Sequence, residues 1–272
     1  LKPETRHFKR PFFRYSISFL IFKCFYQILQ KQIKPMRYIL AFLLPVLLFS
    51  CDGPFDRVEG NGNMEVKEKS LKSFDRLEIS GAFIVKLIPS DNHKVIIEAD
   101  ENLHRYILAD QDGDRLKIRM KNNTSIRSKK GIQVTVYMKE FSKIELAGSG
   151  DLVSEGLFEN DDKMEVVIAG SGNADLQVKT PEMKVSIGGS GKVILDGKTR
   201  DFKLSIGGSG DYEGENLMSE NADISIAGSG SARVFASVDL KVSIAGSGDV
   251  YYKGKPNVKK SIAGAGAVKP IE

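Results

Sequence analysis

One phrase recurs in seven versions along this sequence, and its residue types could do chemistry. Residues 244–250 read IAGSGDV. Variants stand at 146–152 (LAGSGDL), 168–174 (IAGSGNA), 187–193 (IGGSGKV), 206–212 (IGGSGDY), 226–232 (IAGSGSA) and 262–268 (IAGAGAV). Glycines around a serine, with an acid behind them, could cradle a phosphate, hold calcium or line a catalytic cleft. A phosphate loop reads G-x-x-x-x-G-K-[ST] and opens a helix. The nearest match, GKVILDGKT at 191–199, has one residue too many, and its Val193 and Leu195 alternate as in a strand. The dinucleotide pattern G-x-G-x-x-G fails because Gly214 comes one place late after Gly208 and Gly210. The calcium repeat G-G-x-G-x-D sets its acid one place later than Asp211 stands in GGSGDY. The column after the phrase reads Asp151, Asn173, Lys192, Asp211, Ser231, Asp249, Ala267, and a lysine does not suit a calcium column.

Catalysis is no better supported. Asp151, Asp211 and Asp249 share that column but lie on repeats that are not adjacent, so they form no carboxylate pair. The three histidines, His7, His93 and His104, are too few and too scattered for a typical zinc site. The expectation is therefore no catalytic residue, no metal and no cofactor. The phrase reads instead as a tight corner. Two glycines allow positive φ, their missing Cβ atoms let corners stack closely, and the serine hydroxyls would form a hydrogen-bonded ladder.

A corner repeated at a fixed period needs an element on each side. The first glycines, from Gly148 to Gly264, are 22, 19, 19, 20, 18 and 18 residues apart. A period near this length without helical pattern predicts a β-solenoid. Before each corner runs an apolar column, Ile144, Val166, Val185, Leu204, Ile224 and Val242. Two residues on runs a second, Leu146, Ile168, Ile187, Ile206, Ile226, Ile244 and Ile262. A spacing of two puts both on one face of a strand, facing inward, with the serine or other residue between them facing out. The last repeat is worn: Lys260 takes an apolar position and Ala265 replaces the serine, which suits an end cap.

The fold class expected is thus all-β: a parallel β-helix or solenoid of about seven rungs over 141–272, preceded by an N-terminal set of strands over 73–140. In that N-terminal part Leu77, Ile79, Phe83, Val85 and Leu87 largely alternate, Asp112-Gly113 signals a turn, and 101–107 offers one helical turn.

The rest of the chain reads as an address. Residues 36–50 carry Arg37 and then the apolar run from Ile39 to Phe49, a signal peptide ending in Leu48-Phe49-Ser50-Cys51. That ending resembles a bacterial lipobox, which makes Cys51 the expected site of lipid attachment. Residues 51–72 read as a flexible tether, polar and without apolar period. Residues 1–35 read as an over-extended start, since Met36 opens a complete signal by itself. Nine of the 40 basic residues but one of the 35 acidic residues stand in 1–50, which leaves 31 basic and 34 acidic beyond it, near −3. The basic balance belongs to the leader, and no nucleic-acid partner is expected.

The lipobox, the tether, FDRLEISGAFIVKLIPSDNHKVIIEADENL at 74–103, DRLKIRMKNN at 114–123 and the repeated IAGSGD rungs together resemble the head GIN domain family of auto-transporter adhesins, common among Bacteroidetes-type bacteria. The resemblance implies an exported, β-helix-like domain without catalytic residues. The expected protein is a lipid-anchored adhesion or scaffold module of the outer membrane or cell surface. Its partners are the membrane, through the lipid, and an extracellular protein or glycan. The candidate outer contacts are Asp151, Asp211, Asp249 and Tyr251. A carbohydrate-binding or polysaccharide-cleaving β-helix is the alternative, for which Tyr212, Tyr251 and Tyr252 would have to line a groove. A periplasmic assembly or stress factor is the third reading.

Overall fold

A computed structural model describes residues 56–121 and 124–271. The repeated phrases are stacked as the sequence aligns them. Strand Lys143–Gly148 pairs in parallel with Lys163–Gly170, setting Ile144 beside Val166 and Leu146 beside Ile168. The same register carries Val166 to Val185, Val185 to Leu204, Leu204 to Ile224 and Ile224 to Val242. Every residue of this first column is buried. Because each rung shares its apolar face with two neighbours, a buried Ile, Val or Leu contributes about 1.5–3 kcal/mol that an isolated rung could not obtain.

The coils pair in one continuous 20-stranded network, in which two long parallel ladders form a first and a second sheet; the coil at 211–228 adds a short third strand, Leu217–Met218, between them. The first sheet contains the strands that lead into the glycine corner. The second contains those that leave it, such as Asp151–Glu159, Ser231–Phe235 and Asp249–Lys253. Two strands, Asn173–Gly189 and Lys192–Gly208, run through both sheets and pair over nearly their whole length. The inner side chains of the two sheets meet in one apolar core.

The N-terminal strands precede the seven turns and continue their ladder. Arg76–Ser80 pairs in parallel with Lys143–Gly148, which places Leu77 beside Ile144 and Ile79 beside Leu146. Arg115–Met120 lies beyond it, with Leu116 and Ile118 in the same two columns. Antiparallel strands then close this end. Ile107–Asp112 turns at Gly113 onto Arg115–Met120, and Lys94–Asp100 lies on Gln133–Met138. The helical turn is a 3-10 helix, Glu101–Tyr106.

Three expectations are corrected. The signal and Cys51 lie outside the described residues, but the tether is cut short. Asp56–Glu59 pairs with Thr124–Arg127, and Met64–Ser70 pairs with Lys94–Asp100. The second of these strands is mostly exposed, so backbone pairing rather than an apolar face holds it, and its polar sequence gave no strand period. Tyr212 does not line a groove. It is 1% exposed and stacks on Phe202 at 4.9 Å between ring centroids. Burial raises the pKa of its hydroxyl well above the ordinary value, and that hydroxyl has no hydrogen-bond partner among the described residues. The corner serines, finally, build no hydroxyl ladder. Their backbone N–H groups donate instead to glycine carbonyls of the preceding rung, as from Ser190 to Gly170 and from Ser209 to Gly189, both at 2.9 Å.

A candidate contact face on the solenoid

The corner is built by steric exclusion. The first glycine of each phrase has φ between +121° and +136°, a region that side chains with a Cβ rarely adopt. A Cβ on Gly208 would stand 2.5 Å from the Gly189 carbonyl oxygen of the rung below. This close approach leaves the glycines no room to cradle a ligand on the inner side of the corner, and the backbone donors of the serines are already used.

A second corner, not read from the sequence, stands at the other side of each coil. Thr180, Thr199 and Ser219 are buried there. Thr180 donates to the carbonyls of Asp162 and Glu182, and Thr199 to those of Pro181 and Asp201. Ser219 donates to the Phe235 carbonyl, and Ser237 donates to that of Ser219 at 3.2 Å. Each such bond contributes about 0.5–1.5 kcal/mol and satisfies a carbonyl where the chain bends. The hydroxyls recur 19, 20 and 18 residues apart, so the period that revealed the glycines also contained them. Thr199 of the near P-loop is one of these bend residues.

The predicted outer acids are placed in one register column, but each is engaged by the rung that follows. Asp151 accepts from Asn173 Nδ2 at 2.8 Å. Asp211 accepts from the Ser231 N–H at 3.2 Å and from its hydroxyl at 2.6 Å. Asp249 accepts from the Ala267 N–H at 2.8 Å. Tyr251 is partly exposed; its hydroxyl lies 3.4 Å from Asp249, and the Arg233 guanidinium stands 5.6 Å from its ring centroid. Asp151 is not brought near Asp211 or Asp249, because Asn173 and Lys192 occupy the intervening rungs.

A concavity lies elsewhere, on the outer face of the first sheet. A hollow of about 620 Å³ is lined by Arg76, Arg115, Lys143, Glu165, Lys184 and Lys203, among others. A second hollow of about 470 Å³ shares Glu182 and Lys203 with it and continues toward Lys241 and Lys259. The walls are charges on neighbouring rungs. Lys184 bonds Glu165 at 2.7 Å, Lys203 bonds Glu182 at 2.8 Å, and Lys143 stands 3.6 Å from Glu165. Burial alone would raise the Glu165 pKa. The hydrogen bond from Lys184 and the charge of Lys143 outweigh it and hold the carboxyl below its ordinary value. Asp201 is held low by hydrogen bonds from Asn221 and Arg200. Lys163 lines the same hollow and has no ion-pair partner among the described residues. The sequence signal for this face was the lysine before the first apolar column, as in MKVSI, FKLSI and LKVSI.

Exposed ion pairs contribute only about 0–1 kcal/mol each. Stability alone therefore does not account for a ladder of them along one face. What the arrangement can do is present an ordered, salt-sensitive surface of fixed spacing to a polar partner.

Comparison with known proteins places these features among relatives. The family described as "Putative auto-transporter adhesin, head GIN domain" matches residues 73–256. The fold is similar to a crystal structure described as a putative adhesin from Bacteroides fragilis NCTC 9343, with a TM-score of 0.73 and 22% identity over 79% of this chain and 100% of that one. It is similar to one described as a putative adhesin from Parabacteroides merdae ATCC 43184, with a TM-score of 0.62 and 24% identity over 80% of this chain and 100% of that one. A third, described as a putative lipid binding protein from Parabacteroides distasonis ATCC 8503, gives a TM-score of 0.68 and 26% identity over 80% and 100%. No curated protein matches the sequence.

Proposed function

Because the chain belongs to the head GIN domain family of auto-transporter adhesins, we propose that it is an exported cell-envelope module that acts by adhesion and not by catalysis. Cys51 anchors it through lipid to the outer membrane or cell surface, and the solenoid presents the charged face of its first sheet to an extracellular protein or glycan. The observation that carries this reading is the long concave ladder of exposed Lys and Glu side chains, too weak individually to serve stability and too ordered to be a random surface. A rigid stack of rungs keeps those charges at fixed spacing, so little side-chain and backbone order has to be gained on binding.

The test is adhesion of cells displaying the chain to a host-like surface. Lys184→Glu combined with Lys203→Glu reverses two charges of the face without touching the core. Adhesion is expected to fall about tenfold or more, with an unchanged circular dichroism spectrum. Protease or glycosidase treatment of the target surface identifies the partner class. Palmitate labelling lost in Cys51→Ala checks the anchor. Adhesion unaltered by the double reversal would count against the face.

A further inference from the structure

The two ends of the solenoid are unlike. The N-terminal end is closed by antiparallel strands. At the C-terminal end, strand Asn257–Gly264 pairs with Asp239–Gly246 alone, and Ala267–Pro270 with Asp249–Lys253 alone. Among the described residues, the far edge of this last rung has no strand beside it. Its N–H and C=O groups are a template for a further strand. The apolar column is also incompletely covered there: Ile262 is 37% exposed, and Val258 and Val268 are only partly buried.

Positive charge dominates this end, where Glu272 is the one acid after Asp249. From Val250 to Ile271 the sequence has five lysines, Lys253, Lys255, Lys259, Lys260 and Lys269, and no acid. Lys253 faces Glu215 at 3.7 Å; the other four have no ion-pair partner among the described residues. Lys260 stands in the inner column, in register with buried Val242. An inward lysine on an edge strand repels an apolar strand. It also repels a second copy meeting tail to tail, since both edges would bring the same lysines. Head-to-tail stacking meets the closed N-terminal end. What such an edge accepts is a strand with a carboxylate opposite Lys260 and apolar residues opposite Val258 and Ile262.

We propose that the open C-terminal rung is a docking edge for an extended, acidic segment of a partner protein, which adds as the next strand with an apolar-x-acid-x-apolar pattern. Main-chain hydrogen bonds supply affinity and the alternate side chains supply selection, as in other cases of strand addition. A flexible polyanion without β-propensity would meet the lysines but leave the backbone edge unpaired. Lys259 also lines the far hollow of the adhesion face, but the docking edge is the unpaired backbone of the last rung, and neither proposal depends on the other.

The experiment measures binding of the full chain to a fluorescent heptapeptide, Thr-Val-Thr-Glu-Thr-Val-Thr. The comparison probes are the same peptide with lysine at its centre and a glycine-serine heptapeptide with one central glutamate. The glutamate strand peptide is expected to bind about tenfold more tightly than the lysine one, and Lys260→Glu to reverse the order. Lys260 is exposed, so the variant should fold, and an unchanged thermal midpoint confirms it. Equal binding of the glycine-serine probe, no reversal in Lys260→Glu, or no binding at millimolar peptide would overturn the proposal. Lys184→Glu, on the adhesion face, should leave peptide binding as it was.

Discussion

Two adjacent glycines on one rung show what decides tolerance at the residue scale. Gly207 occupies the outward Ala/Gly column, where the nearest atom to an added Cβ is 4.0 Å away. Gly208 begins the corner, with φ of +122° and the Gly189 carbonyl in the way. Gly207→Ala should be neutral or stabilise by up to about 1 kcal/mol through the unfolded chain. Gly208→Ala should destabilise by about 2 kcal/mol or more, from strain and a backbone clash together. Urea melts of both variants check the contrast, and equal effects would mean that the corner yields more than its geometry allows. Tyr212 makes a different point about residue type. A tyrosine in an alternating strand looked available to a groove, yet its position in the inner register placed it against Phe202.

At the scale of elements, Asp100 ties the N-terminal strands together. Its carboxylate accepts from the Gly62 N–H and from the Ser128 hydroxyl, both at 2.6 Å. Strands Asp56–Glu59 and Thr124–Arg127 thus connect to Lys94–Asp100 through one side chain. The Ser128 hydrogen bond, ahead of that from Gly62, holds its pKa below the ordinary carboxylate value. A lowered folded-state pKa gives stability that is fully present above the unfolded value, about 3.9, and is lost as pH falls through the folded one. Amide exchange in residues 57–59 and 124–127 should therefore accelerate below about pH 4, before the solenoid rungs respond. Asp100→Ala should show fast exchange at every pH, at a local cost of about 1–3 kcal/mol. Exchange with the same pH profile in wild type and variant would remove Asp100 from this role.

For the molecule as a whole, the rung is the unit. Residues 173–189 pair with residues nineteen places further on, from Asn173 with Lys192 to Gly189 with Gly208. Excising 190–208 joins Gly189 to Ser209 and restores an intact Gly-Ser-Gly corner. A stack stabilised by nearest-neighbour terms should survive that loss with a lower urea midpoint and a smaller m-value. Deleting Ile194 alone removes far less chain but turns the rest of its strand inside out. The single deletion should thus be the more damaging of the two. An unfolded nineteen-residue excision beside a folded single deletion would refute the modular account.

The repeat made much of this architecture legible. Every first-column residue from Ile144 to Val242, at its fixed distance before the glycine phrase, is a buried neighbour in the parallel register. Periodicity could do this because stacking makes sequence spacing and spatial adjacency the same thing. The strand Met64–Ser70 was hidden for the opposite reason, since its partner Lys94–Asp100 lies far along the chain and its own side chains carry no apolar period. The hydroxyl corner at Thr180, Thr199 and Ser219 had the right spacing, but only the fold shows that those hydroxyls are buried against backbone carbonyls. The sequence by itself determined the rungs, their corners and their inward faces, because these follow from local alternation repeated at one period. Only the tertiary structure decided that the charges of the first sheet line two adjoining hollows and that, among the described residues, no strand lies beyond the last rung. Both are properties of how rungs face solvent and one another, which no single repeat contains.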